Sequence, residues 1–233
     1  MKITLLHGQN HKGSTYHVSK MTADKLNGVL EEFFLPKDLS ENCLGCFNCL
    51  NKGREFCPHF SEVSKIFDSM LSSDIIIIDS PTYVMEMSGQ LKSFFDHIFT
   101  AWLPHRPEEA MFSKVAIAVS TAAGAGMKRV TKSIARQLFY LGVPKVYRIS
   151  ERVAATFWND VKEKKKKKIN KNINKIARKA IKNSGKIKPK FKLKFMFSIM
   201  RLMQKSNDYA PLDKKYWEEK NWLKKARPWK AVK

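Results

Sequence analysis

The four cysteines of this chain are Cys43, Cys46, Cys49 and Cys57, in the spacing C-x2-C-x2-C-x7-C. Three thiolates two residues apart can converge on one centre, with a fourth arriving from beyond a turn. Four such thiolates hold an iron–sulfur cluster. Zinc accepts the same ligands, though more often as paired C-x2-4-C units. Four reduced, free thiols packed in a loop are the plain structural reading. Stabilising disulfides are least expected: Met1–Gly8 turns polar too early for a secretory signal, so the chain is expected in the cytoplasm.

A second chemistry is suggested by three polar loops. The first, Gly8-Gln9-Asn10-His11-Lys12-Gly13-Ser14-Thr15, joins the apolar run Lys2–His7 to a helical stretch. Free N–H groups and the positive end of a helix dipole suit a phosphate. Ser14 and Thr15 add hydroxyl donors there, and His11 or Lys12 adds positive charge. The competing reading is that Ser14 caps the helix. The loop is neither GxxxxGK[ST] nor GxGxxG, which argues against a triphosphate P-loop and a dinucleotide fingerprint. The second loop, Asp79-Ser80-Pro81-Thr82, follows Ile75–Ile78. The third, Ser120–Gly126, offers small residues over which the edge of a flat ligand can lie.

These loops need elements to hold them. Ile75–Ile78 is an unbroken β-branched run, as in a strand buried on both faces of a parallel sheet, and Pro81 cannot continue it. Leu91, Phe94, Phe95, Ile98 and Phe99 repeat at helical spacing. Further strands are expected at Leu30–Leu35, Lys114–Ser120 and Val143–Ile149. Further helices are expected at Tyr16–Leu26, Ser61–Met70 and Met127–Leu141, with Gly142 closing the last. The pattern is five βα-like units. A doubly wound sheet of order 2-1-3-4-5 gathers the loops after its first, third and fourth strands at the switch point.

Charge divides the chain unevenly. Residues 161–233 hold 26 of the 44 Lys and Arg and 5 of the 21 Asp and Glu, whereas residues 1–160 are nearly neutral. We read an α/β domain at 1–153 and a basic helical extension at 154–233. Ile169, Ile173, Ile176, Ala177 and Ala180 share one helical face, and Phe191–Met203 forms a second amphipathic or apolar helix. The second helix is expected to cover an apolar edge of the core or of a partner subunit. A membrane surface is the alternative. Nucleic-acid binding is disfavoured, since lysines alone bind it nonspecifically and no recognised motif accompanies them. No run approaches the ~18 apolar residues of a membrane span.

With these residues in place the chain resembles the NADPH-dependent FMN reductases of the flavodoxin-like superfamily, and within them the iron–sulfur flavoproteins. Gly8, Gly13 and Thr15 are similar to the family's first loop, with Gln9, Asn10, His11 and Ser14 in its remaining motif positions. Ser80-Pro81-Thr82-Tyr83, then Ser88-Gly89-Gln90-Leu91-Lys92 and Asp96, resembles the second. The cysteine segment and Asp213-Lys214, Tyr216-Trp217 and Trp222-Leu223 add to the likeness. The resemblance implies a flavodoxin-like fold and an FMN-dependent NAD(P)H oxidoreductase acting on a small acceptor such as a quinone or flavin. It implies FMN phosphate on Gln9, His11, Ser14 and Thr15. It sets the isoalloxazine edge against Pro81, Thr82, Tyr83 and Val84, and against Ser120, Thr121 and Gly124. No acid, base or nucleophile is required; Tyr83 and His105 are candidate substrate contacts. The iron–sulfur alternative places a [4Fe-4S] cluster on Cys43, Cys46, Cys49 and Cys57, with a ferredoxin-type partner. A homodimer or homotetramer is expected. The reading of another class is a flavin-free protein that uses its basic tail on membranes or nucleic acid.

Overall fold

The structure, a computed structural model, describes residues 1–231; residues 232–233, the end of the expected extension, lie outside the described residues. In chain order the elements are β1 (Lys2–His7), α1 (Ser14–Leu26), β2 (Val29–Phe34), α2 (Asn48–Asn51), α3 (Phe60–Ser72), β3 (Ile75–Asp79), α4 (Gly89–His97), β4 (Val115–Ala122), α5 (Met127–Tyr140), β5 (Lys145–Arg152), α6 (Glu163–Asn183), α7 (Phe191–Lys205), α8 (Pro211–Glu219) and α9 (Pro228–Ala231). The five strands form one parallel sheet of order β2-β1-β3-β4-β5. This is the flavodoxin-like winding expected from the sequence.

Alternation along the strands builds two cores. Leu6, Ile76, Ile78, Ala116 and Ala118 face α3, α4 and α5. Ile3, Leu5, Ile75, Ile77, Ile117 and Val119 face α1 and α6. Both sides of every central strand are thus apolar, as a parallel sheet covered on two faces requires. In α6, Ile169, Ile173, Ala177 and Ala180 are buried on the same sheet face as α1. Its lysine run is turned mainly outward, with Lys165 Nζ paired to Glu151 at 2.7 Å.

A third, smaller core joins the end of the chain to the loop before β4. Leu193 and Phe197 of α7, Trp217 of α8 and Trp222 pack on Leu103 and Phe112. Polar contacts fasten the same region. Trp217 Nε1 donates to His105 O at 2.5 Å, Tyr216 Oη to Pro107 O at 2.8 Å, and Gln204 Nε2 to Pro104 O at 2.6 Å. The buried Asp213 carboxylate lies 2.7 Å from His105 Nδ1 and 3.2 Å from Arg106 Nη1. Arg106 also donates to the carbonyls of Cys49 and Leu50. One guanidinium therefore ties the C-terminal helices to the cysteine segment. Among the described residues no helix is long and apolar enough to cross a membrane.

Candidate functional site

The loops after β1, β3 and β4 meet at the carboxyl end of the sheet and enclose a cavity of about 250 Å³. Register makes this unavoidable: β1 and β4 flank β3, and His7 lies beside Asp79, which lies beside Val119. Three side-chain bonds lock the loops together. Ser88 Oγ donates to Gly8 O at 2.5 Å while capping α4, Thr15 and Thr121 share a hydroxyl bond of 2.7 Å, and Thr82 and Ser120 share one of 3.0 Å. Gly8 is demanded by this approach, since a Cβ there would meet Asp79 O at 2.7 Å and Ser88 Oγ at 2.9 Å.

Of the residues expected from the sequence, Gln9, His11, Ser14, Thr15, Pro81, Thr82, Tyr83 and Thr121 line the cavity. Tyr83 Oη donates to Gln9 Oε1 at 2.5 Å, and Gln9 Nε2 in turn contacts His11 Nδ1. Three others do not line it. Ser120 is fully buried and acts on the site through Thr82. Gly124 is exposed, and Val84 is 98% exposed at the tip of a tight turn closed by the Tyr83–Glu86 pair.

Ser14 is the first residue of α1 and does not cap it; the capping position is Gly13, with no side-chain bond. Ser14 is 8% exposed, and its hydroxyl has no hydrogen-bond partner among the described residues. A buried hydroxyl without a partner is costly, and this one belongs to a cavity-lining residue at a helix N-terminus.

The cavity wall also contains groups that the sequence did not single out. His7 Nδ1 donates to Asp79 Oδ2 at 2.6 Å and His7 Nε2 to Glu32 Oε1 at 2.9 Å. Both acceptors are carboxylates, so both ring nitrogens carry hydrogen and the ring is an imidazolium. Burial works against that charge, but the two carboxylates outweigh it and raise the His7 pKa above its ordinary value. Glu32 is affected in the opposite sense: burial would raise its pKa, and its bonds to His7 and Lys20 bring it below the usual range. The ring stacks on Phe34 at 4.5 Å. The available signal was two titratable residues, His7 and Asp79, closing otherwise apolar strands that a parallel sheet sets side by side.

The cysteines surround a second, smaller cavity. Cys43, Cys46, Cys49 and Cys57 all line it, together with His59 and His97. All four are free thiols. Burial pushes the Cys49 and Cys57 thiols above their ordinary pKa, which lowers the share present as thiolate.

Comparison with known proteins bears on both cavities. The model of the NADPH-dependent FMN reductase family matches residues 1–158. The chain belongs to that family. Among its relatives is an FMN-dependent NADH:quinone oxidoreductase of Burkholderia pseudomallei, 30% identical over 125 residues, which are 50% of this chain and 57% of the relative. The chain thus spans little more than half the length of that curated relative. An iron–sulfur flavoprotein of Methanocaldococcus jannaschii is 37% identical over 70 residues, 30% of this chain and 35% of that one. The crystal structure of an FMN-dependent NADH-azoreductase from Bacillus anthracis in complex with FMN superimposes with a TM-score of 0.56 at 14% identity, covering 78% of this chain and 100% of that chain. At that identity the likeness is one of fold, and the family's winding is the one built here.

Proposed function

We propose that the chain is an FMN-dependent NAD(P)H oxidoreductase, taking electrons from a reduced nicotinamide and delivering them to a small acceptor such as a quinone or a free flavin. One observation carries this reading. The buried hydroxyl of Ser14 lacks a partner among the described residues at the start of α1, in the cavity at the carboxyl end of the sheet's switch point. A phosphate supplies the acceptor that this hydroxyl and the neighbouring N–H groups lack.

When bound, FMN supplies the hydride chemistry. The chain's own residues bind, orient and exclude water. Ser14, Thr15, Gln9 and His11 would hold the phosphate end, and Pro81, Thr82, Tyr83 and Thr121 would flank the ring. Ser120 positions Thr82. Val84 and Gly124 meet only an occupant that extends beyond the cavity. The His7 imidazolium offsets the Asp79 carboxylate, which would otherwise repel a phosphate from the same cavity.

The test is FMN titration of flavin-free protein by fluorescence quenching, followed by NADPH and NADH oxidation with a quinone. Expected are one FMN per chain, turnover, and about tenfold weaker FMN binding in Ser14→Ala, the loss of one hydrogen bond to a charged group. Protein that takes up no FMN overturns the reading. A second reading adds a [4Fe-4S] cluster on Cys43, Cys46, Cys49 and Cys57 and a ferredoxin-type partner. It is supported by the four thiols lining one cavity and is tested by iron and sulfide content.

A further inference from the structure

We propose that Cys57, His59 and His97 form a binding site for a single divalent transition-metal ion of the zinc class. One ligand atom from each of the three lies within 4.8 Å of the other two. Tetrahedral bonds to sulfur and imidazole nitrogen set ligand atoms about 3.3–3.8 Å apart, so closure needs shifts of about an ångström. His97 Nδ1 is already 3.9 Å from Cys57 Sγ.

The rings are prepared for coordination. His97 Nε2 lies 3.1 Å from the carbonyl of Glu41. A carbonyl only accepts, so Nε2 carries the hydrogen and Nδ1 turns its lone pair toward the sulfur. An imidazole oriented through its far nitrogen is the usual arrangement at metal centres. His59 Nδ1 is buried and has no hydrogen-bond partner among the described residues. The two rings meet edge to face at 5.1 Å. His59 is the residue before α3 and His97 the last of α4, so both ligands are carried by ordered elements.

Size distinguishes this site from the four-thiolate cluster. The cavity shared by the cysteines and both histidines is about 20 Å³, room for one water-sized species. A cluster of four irons and four sulfides requires the loop to open. Cys43, Cys46 and Cys49 line the same cavity and offer a fourth ligand. Cys57 is common to both arrangements, so one chain holds one or the other.

The experiment titrates Co²⁺ into the full-length chain, reduced and stripped with a chelator, and then competes it with Zn²⁺. The expected result is one Co²⁺ per chain, with a thiolate-to-cobalt charge-transfer band and the intense visible bands of four-coordination. Zn²⁺ displaces it. His59→Ala and His97→Gln each weaken Co²⁺ binding at least tenfold, and Cys57→Ser diminishes the charge-transfer band. His97 is buried and its variant risks misfolding; the more exposed His59→Ala, checked by circular dichroism, then carries the test. The proposal fails if His59→Ala binds Co²⁺ as tightly as the parent. It also fails if the stripped parent chain binds no Co²⁺, or binds it without a thiolate-to-cobalt charge-transfer band.

Discussion

His7→Gln removes the cation held between Asp79 and Glu32. His7 and Asp79 are 1% and 2% exposed, so the substitution leaves a buried carboxylate with one amide donor in place of an imidazolium. Breaking a buried pair costs about 3–5 kcal/mol. The surviving amide bond places the expected loss near 3 kcal/mol. The cost also depends on pH. The His7 pKa is raised on folding, so its contribution is complete below the unfolded value of about 6.5 and is lost as pH rises through the folded value. The gap between parent and variant is therefore widest in mild acid. It narrows toward alkaline pH by at most about 1.4 kcal/mol per pH unit. Glu32 acts at the other end: its pKa is lowered, so its contribution is lost only as pH falls through that lowered value. Urea unfolding of both proteins in steps from about pH 5.5 to 9 spans the His7 window. Parallel stability profiles, with no narrowing of the gap, would refute the imidazolium between two carboxylates.

Three further outcomes are expected. Gly126 has φ +95°, and a Cβ there would meet Thr82 Cγ2 at 2.5 Å. Gly126→Ala should cost about 1–3 kcal/mol by thermal unfolding and weaken FMN binding by displacing Thr82; unchanged values on both counts would separate Gly126 from the site. Asp213→Asn removes the buried charge partner of Arg106 and should destabilise by about 3 kcal/mol. Because Arg106 also holds the carbonyls of Cys49 and Leu50, Cys49 should react faster with a thiol reagent, and an unaltered rate would show the cysteine loop to be independent of the C-terminal helices. Val84 and Met85 adopt φ +47° and +66° in the turn between Tyr83 and Glu86. Val84→Asn with Met85→Gly should stabilise by about 1 kcal/mol in chemical denaturation, since those residues accept left-handed backbone with little strain.

The winding of the sheet was legible in the chain because strand, loop and helix signals are local. Ile75–Ile78 declares a strand buried on both faces, Pro81 ends it, and Leu91, Phe94, Phe95 and Ile98 repeat at the spacing of a helix. The three polar loops converge because a parallel sheet of this order leaves them no other place. Ser14 was legible as a residue of the first loop but not in its role. Whether it caps α1 or stands unpartnered depends on Gly13 taking the capping position.

What the sequence determined by itself was therefore the periodicities, the breaks between elements and the spacing of the cysteines, all set by neighbours a few residues away. Only the tertiary structure decided which groups meet across that framework. His7 and Asp79 are 72 residues apart and share a proton-bearing contact because β1 and β3 are adjacent in register. His97 reaches Cys57 across 40 residues, and Asp213 reaches His105 across 108. No period or motif records such pairs, because burial and charge compensation act between elements after they have packed. The side of the sheet covered by Ile169 and Ile173 was settled in the same way, by an apolar face beside α1 that only the assembled sheet presents.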